Sequence, residues 1–394
     1  MTSRRTCRLV VVGGGRAGLA AAVEARRAGL ETCLVEQRSI LHAPETLMKT
    51  CAWGIWGHDL ALCGPNAQSS VVTFEQVIIA TGSFARPVAF PGWTLPGVVT
   101  LDDASEIGTR VAVAGSGAAL ATALSSLKTH GMTPTAVLDP EAPDGRLPIR
   151  AEGAEHLERL VVARVDANWR PRPGSQTTLE LDTLVLAFGW LPEDGLVRLA
   201  GCAVSGSSPF VDPSTVRDAW LRTSVEGVLV AGDAGGIVDA ESAVDQGRLA
   251  GLTAALDAGC IDTDEACRRA EPIQRRLNQA ARPELPREGL FDLATPETVV
   301  CRCEGVTAAE ITERIFPGNL EPAGVIAETR ATMGLCQGRQ CASLVAATIA
   351  RQSGVALDRI PPITPRPPVV PVPLGALAER PPVFPPLSAL SAAH

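Results

Sequence analysis

An α/β fold, with two Rossmann-type dinucleotide-binding domains followed by a small helical domain and an extended tail, is predicted by three features of the sequence. Residues 8–36, RLVVVGGGRAGLAAAVEARRAGLETCLVE, read as strand, tight glycine turn, helix and second strand. A similar pattern returns at 110–139, RVAVAGSGAALATALSSLKTHGMTPTAVLD, so that the chain repeats one βαβ design. Four cysteines then gather late in the chain, before residues 361–394 with their eleven prolines.

The 394 residues, 46% of them hydrophobic and 37 of them glycine, are enough for two or three buried cores. The start, MTSRRTCRLVVVGGG, runs straight into a folded motif, and 11 cysteines are few for this length. Both points indicate a soluble, reduced, cytoplasmic protein rather than a secreted disulfide scaffold. Peripheral attachment to the inner membrane is left open. A formal charge of -8 without a basic block excludes nucleic acid as partner. No apolar run reaches the roughly 18 residues of a membrane span. Tyrosine is absent, which excludes phenol acid–base chemistry.

Further strands are predicted at 70–81, 178–188 and 226–232, the last leading into a helix over about 240–257. Three prolines and little periodicity in ARPELPREGLFDLATPETVV mark a linker. The resulting division is 1–105 for the first part of a dinucleotide-binding domain, 106–220 for a central domain, and 221–280 for the return of the first. A linker at 281–298, a helical domain at 299–358 and a tail at 359–394 complete it. The tail is expected to be extended and to lie against a surface.

In VVVGGGRAGLAAA, Gly13, Gly15 and Gly18 fit the dinucleotide fingerprint. The first permits the turn, the second admits a pyrophosphate close to the backbone, and the third lets helix and strand approach, as Ala22 also does. The helix N-terminus offers free N–H groups to phosphates. Glu36, 18 residues after Gly18, is placed to accept hydrogen bonds from ribose hydroxyls. The bland alternative is a glycine turn without a ligand.

FAD and NAD share this fingerprint. VIIATGS at 77–83, with Thr81 and Gly82, and VEGVLVAGDAGGIVDAESAVDQGRLAG at 225–251 resemble segments of the flavoproteins related to glutathione and thioredoxin reductases. That resemblance implies a disulfide-reductase-like fold, with Gly232 and Asp233 holding the ribityl and pyrophosphate part of FAD. It also implies a helix from near Ala240 whose N-terminus faces the flavin pyrimidine edge. The second glycine motif departs from the pattern: Gly115 and Gly117 are kept, but Leu120 stands where a third glycine belongs. No arginine pair follows, and Asp139 is succeeded by Pro140. The central domain is therefore read as a degenerate NAD(P)H-type domain. The stretch between Glu36 and residue 70 is short, which leaves FAD or another adenine nucleotide as occupant of the first pocket. Cys51 and Cys63 are separated by eleven residues and no C-x-x-C occurs, which excludes disulfide reduction.

Cys301 and Cys303 form a C-x-C, followed after 32 residues by Cys336 and Cys341 in C-x-x-x-x-C. Four thiolates at this spacing can surround a 2Fe-2S cluster. Zinc, or four free thiols, are the alternatives. Iron and sulfur are favoured by the neighbouring flavin domain, by helices expected after each pair, and by Gly334 and Gly338, which allow amides close to sulfur. The other seven cysteines are read as ordinary thiols.

CRCEGVT and TRATMGLCQGRQCASLVA resemble the cluster module of bacterioferritin-associated ferredoxin, in the variant fused to a flavoprotein in heteromeric amine and imino acid dehydrogenases. FPGWTLPGVVT at 90–100 and RPPVVPVPLGALA at 366–378 resemble that family too. It includes the α subunits of opine oxidases, of hydroxyproline and proline dehydrogenases, and the flavin subunit of hydrogen cyanide synthase. The resemblance implies a role in electron transfer within a larger complex. The C–N bond would be oxidised by a D-amino-acid-oxidase-like β subunit, an FMN can sit where the subunits meet, and a small γ subunit is a further candidate partner. The acceptor would be a quinone or, in vitro, a dye. No catalytic residue is assigned: His42, His58, His130, His156 and His394 are isolated, and no nucleophile or carboxylate pair suggests a substrate site. A self-contained NAD(P)H-dependent reductase and a non-catalytic nucleotide-binding scaffold remain as rival expectations.

Overall fold

The computed structural model describes residues 3–39, 46–102, 107–205, 214–280, 285–316 and 318–378. The chain opens with β1 (Ser3–Val12), α1 (Arg16–Arg27), β2 (Thr32–Val35), β3 (Thr46–Leu47), β4 (Cys51–Trp56), β5 (Asp59–Cys63) and β6 (Ser69–Ile79). The middle comprises β7 (Ser83–Ala85), β8 (Val98–Thr100), β9 (Val111–Gly115), α2 (Gly117–Thr129), β10 (Ala136–Leu138), β11 (Arg146–Glu152), β12 (Arg159–Arg164), β13 (Thr177–Glu180), β14 (Thr183–Ala187), β15 (Trp190–Pro192), α3 (Gly195–Leu199), β16 (Val204–Ser205) and β17 (Ser214–Thr215). The chain then returns through β18 (Val228–Val230), α4 (Ala240–Asp257) and α5 (Thr263–Gln279). It ends in β19 (Val299–Cys301), β20 (Val306–Thr307), α6 (Ala308–Glu313), α7 (Pro322–Thr329), α8 (Ala342–Ser353) and α9 (Leu374–Ala378).

The first sheet has the order β3-β2-β1-β6-β5-β4, with β18 also paired to β6. The long β6 makes this possible: its first half pairs antiparallel with β5 and its last residues pair parallel with β18. Leu9 and Val11 point to one face and Val10 and Val12 to the other, and all four are buried, as a parallel sheet covered on both sides requires. On one face α1 and α4 pack in backbone contact. A Cβ at Gly247 would lie 2.1 Å from the Ala17 carbonyl oxygen, and one at Gly251 2.4 Å from that of Ala21. This small-residue seam was not singled out in the sequence.

The central domain holds a parallel sheet, β10-β9-β14-β8, and an antiparallel one, β11-β12-β13. The strand predicted over 178–188 is two strands in different sheets. Asp182 divides them: its carboxylate accepts from the backbone N–H groups of Thr109 and Arg110, so the chain turns there. Leu120 does not force α2 off its sheet, because it is buried in a small core with Val113, Val185 and Ala187.

Residues 285–298 of the segment expected as a linker are packed. Gly289 N–H donates to the Asn168 carbonyl, Arg170 pairs with Glu288 and Asp292, and Leu290 and Leu293 are buried. They join one continuous core that runs from Phe90 and Trp93 through β11 and β12 to Val300, Val325 and Val345 of the cysteine-bearing part. Trp93 Nε1 donates to the Val299 carbonyl at 2.6 Å, which ties the FPGWTLPG segment to β19. Val369 and Val370 pack against the core of the first sheet, where Val369 N–H donates to the Trp53 carbonyl at 2.9 Å. His42, His394 and the rest of the tail beyond 378 lie outside the described residues. Among the described residues no helix is long and apolar enough to cross a membrane.

Candidate functional site

Where β1 ends, the chain must turn sharply to enter α1. Gly13 does so at φ 104°, and a Cβ there would lie 2.2 Å from the Ala80 carbonyl oxygen. A Cβ at Gly18 would lie 1.8 Å from the Gly13 carbonyl oxygen, so this glycine lets the helix sit on its own loop. Gly15 differs from both. Nothing lies within 4 Å of the Cβ position, because it faces a cavity of about 1340 Å³.

That cavity is bounded by the glycine loop, Glu36, Thr81, Gly82, Gly232 and Asp233. The Glu36 carboxylate, buried at its rim, accepts from Gly14 N–H at 2.5 Å and from Arg38 N–H at 2.7 Å. Asp233 accepts from Ser83 Oγ at 2.8 Å and from Val238 N–H at 3.0 Å. The turn that carries Asp233 is held from behind by Arg217, which donates to the carbonyls of Val230 and Gly235 and to Gln246 Oε1. Burial pushes this guanidinium down to about 10. Gln246 Oε1 also accepts from Gly232 N–H at 2.9 Å. Neither residue was a sequence candidate, although Gln246 lies within the quoted segment. The helix α4 starts at Ala240 as expected, capped by Asp239, whose carboxylate is held below its ordinary value by the Ser242 N–H and hydroxyl. The second glycine loop, with Ser116, Gly117 and Ala118, lines the same cavity, so both helix N-termini converge on one space. The residues thus fit a dinucleotide: an open glycine, converging N–H donors and anchored carboxylates.

The cysteines lie beyond one wall of this cavity. Cys301 is at the end of β19, Cys341 at the N-cap of α8, and Cys303 and Cys336 on the turns between. Cys341 donates to Cys301 Sγ at 3.5 Å, and Cys336 contacts both Cys341 and Cys303. Backbone N–H groups point at sulfur: those of Thr332 and Glu304 at Cys301, and those of Gln340 and Gly338 at Cys336. The backbone is strained to deliver them, since the β-branched Thr332 sits at φ 70°. A Cβ at Gly334 would lie 2.5 Å from Cys303 Cβ. Only α8 begins directly at a cysteine pair; after Cys303 the chain forms β20 first, and α6 starts with its own capping box at Thr307 and Glu310.

Hydrogen bonds from Cys341 pull the Cys336 thiol down to about 5 and Cys301 to about 6, and the donor Cys341 is pushed far up in return. Alkylation of Cys336 in cluster-free protein by iodoacetamide is therefore expected to rise through the value of about 5 and to level off well below the ordinary thiol range. A rate still climbing near pH 9 would contradict this assignment. Among the described residues no group of three or more His, Cys, Asp or Glu is arranged to hold a metal ion. The thiols instead form a run, Cys301, Cys341, Cys336, Cys303, backed by amide donors. This donor set fits an anionic cluster with more than one iron.

One residue spans the two features. Arg339, inside the CQGRQC loop, lines the cavity and pairs with Glu193, and it also donates to the Val369 carbonyl. The Glu193 carbonyl accepts from Thr81 Oγ1 at 2.6 Å, and its N–H donates to the Gly82 carbonyl. Loop 336–341 is thereby anchored to the nucleotide cavity wall. Spacing alone could not have revealed this contact, which joins residues 146 positions apart.

The pyridine nucleotide-disulphide oxidoreductase family model matches residues 45–247. The FAD dependent oxidoreductase model matches residues 9–41, and the BFD-like 2Fe-2S binding domain model residues 299–351. An opine oxidase subunit of Rhizobium meliloti (strain 1021) is 30% identical, covering 77% of this chain and 76% of that protein. Hydrogen cyanide synthase subunit HcnB of Pseudomonas aeruginosa is 28% identical, covering 94% of this chain and 98% of its own. L-proline dehydrogenase from P. horikoshii has the same fold, with a TM-score of 0.78 at 23% identity over 96% of this chain and 81% of that one.

Proposed function

Given that the chain belongs to the pyridine nucleotide-disulphide oxidoreductase family and carries a BFD-like 2Fe-2S binding domain, we propose that it is the electron-transfer subunit of a hetero-oligomeric flavin dehydrogenase. Its substrate class is an amino acid, an imino acid such as proline or hydroxyproline, or an opine, oxidised in a partner subunit. The observation that carries this reading is the Arg339–Glu193 contact, which fastens the cysteine loop to the nucleotide cavity. The kinship with the opine oxidase and hydrogen cyanide synthase subunits supports a place in such a complex.

When bound, a flavin accepts two electrons and releases them singly, and a 2Fe-2S cluster carries one, so the pair joins two-electron oxidation to a one-electron carrier. In this reading Gly13, Gly15 and Gly18 shape the loop that takes the pyrophosphate, with the α1 N–H groups as donors. Glu36 orients a ribose, Thr81 and Gly82 border the ligand, and Asp233, with Gly232 at the turn, anchors the polyol chain. Cys301, Cys303, Cys336 and Cys341 would hold the irons, and the amides aimed at sulfur would stabilise the negative charge of the cluster. Arg339 keeps the loop of Cys336 and Cys341 against the cavity. The partner is a D-amino-acid-oxidase-like β subunit, and a γ subunit is a further candidate; an FMN can sit at their interface, and a quinone or, in vitro, a dye would accept the electrons. The catalytic side chains for C–N oxidation are assigned to that partner.

Anaerobic purification of the chain with the products of neighbouring genes, followed by EPR before and after proline, hydroxyproline or an opine, tests this. A rhombic 2Fe-2S signal appearing with substrate is expected. A signal raised only by NADH would replace the reading with a self-contained reductase, and stoichiometric zinc in place of iron would replace it with a scaffold.

A further inference from the structure

Residues 366–378, RPPVVPVPLGALA, have little with which to bond themselves down, because four of the first eight are prolines without an N–H to donate. The segment is nevertheless fastened at two places. Ala376 of α9 is fully buried with Trp53, Ala61 and Cys63. Val369 is buried with Leu196 and Val197, and both its backbone groups are used: the N–H donates to the Trp53 carbonyl at 2.9 Å, and the carbonyl accepts from Arg339 at 3.3 Å. Together with Val370 and Pro371 it forms part of the wall of the nucleotide cavity. Arg339 reaches it from a loop whose backbone is strained, with Gln337 at φ 52° beside Thr332 at φ 70°. Such conformations persist only where the surroundings impose them. Arg339 lies between Cys336 and Cys341, so bonds from these two sulfurs to iron would fix the loop on both sides of it.

We propose that residues 366–373 are a strap that retains the nucleotide in its cavity, and that Arg339 latches this strap only while Cys336 and Cys341 are bound to iron. The inference rests on the cavity being a nucleotide site and the four thiols being cluster ligands. Loss of iron lets the strained loop relax, and Arg339 then leaves the Val369 carbonyl. The strap is left with one backbone bond at Val369 and opens. A subunit that lacks its cluster therefore gives up its nucleotide, and only a chain carrying both groups stays loaded.

The test follows strap and ligand separately in the purified complex, before and after anaerobic removal of iron with bathophenanthroline. Hydrogen–deuterium exchange of a peptide spanning 366–378 is expected to rise on iron removal, while β12 and β13 exchange as before. Release of FAD, the probe used, followed by its fluorescence on dilution, is expected to accelerate about tenfold, the worth of one hydrogen bond from a charged donor. Arg339→Met is expected to open the strap equally with iron still bound, and it decides if the iron-free chain unfolds. Unchanged exchange at 366–378 in an iron-free chain with intact circular dichroism overturns the proposal, and so does a closed strap in iron-loaded Arg339→Met. A complex that takes up no FAD contradicts the reading of the cavity alone, because exchange at 366–378 is measured without any nucleotide.

Discussion

Substitution Cys336→Ser is expected to abolish reduction of an added dye by the purified complex, while substrate still bleaches the flavin of the partner subunit. Cys336 is the middle of the thiol run: it contacts both Cys341 and Cys303 and receives the N–H groups of Gln340 and Gly338. A serine hydroxyl is a poor iron ligand and stays protonated where this thiol is ionised, so the cluster loses both charge and a bond. The groups that merely support a metal site are worth about 10–100-fold, and loss of a ligand should exceed that, giving at least about a 100-fold fall in dye reduction. Stopped-flow absorbance for the partner's flavin and EPR for the cluster separate the two events. Dye reduction at an unchanged rate would remove the cluster from the electron path. Failure of flavin bleaching would instead mean that the subunits no longer assemble properly.

The second large effect is expected from Gly15→Val. Unlike Gly13, Gly15 has an ordinary φ of -72°, and unlike Gly13 and Gly18 it has open space around its Cβ position, so a Cβ there meets nothing in the folded chain. It does project into the cavity where the pyrophosphate must approach the backbone. Copurified adenine nucleotide, released by denaturation and measured by chromatography, should fall with an affinity loss of at least about 100-fold, or about 3 kcal/mol. Yield and circular dichroism should stay at wild-type level. Gly18→Val is the contrast: its Cβ would lie 1.8 Å from the Gly13 carbonyl oxygen, so the chain should fail to fold. Undiminished nucleotide content in Gly15→Val would show that the ligand does not lie across this loop.

Much of this protein is written in local sequence. The turn at Gly13, the helix start at Ala240 and the cysteine pairs at 301–303 and 336–341 each follow from residue types within a few positions of one another. A glycine at positive φ, an Asp cap and a closely spaced pair of thiols impose their geometry without help from distant chain. What lies between segments was decided only in three dimensions. Register across two strands set Cys51 against Cys63, and chain folding brought Arg339 to Glu193 and Arg217 beneath the Asp233 turn. Asp182 cut an apparent single strand into members of two sheets because its carboxylate found amides some seventy residues away. Three prolines point to a linker at 281–298, yet within it Leu290 and Leu293 are buried against β11, β12 and Trp169. The sequence by itself therefore determined which groups the protein owns: the nucleotide loop and the four thiols. Tertiary structure determined which of them share one space, because long-range packing, unlike turn and cap chemistry, has no signature in residues adjacent along the chain.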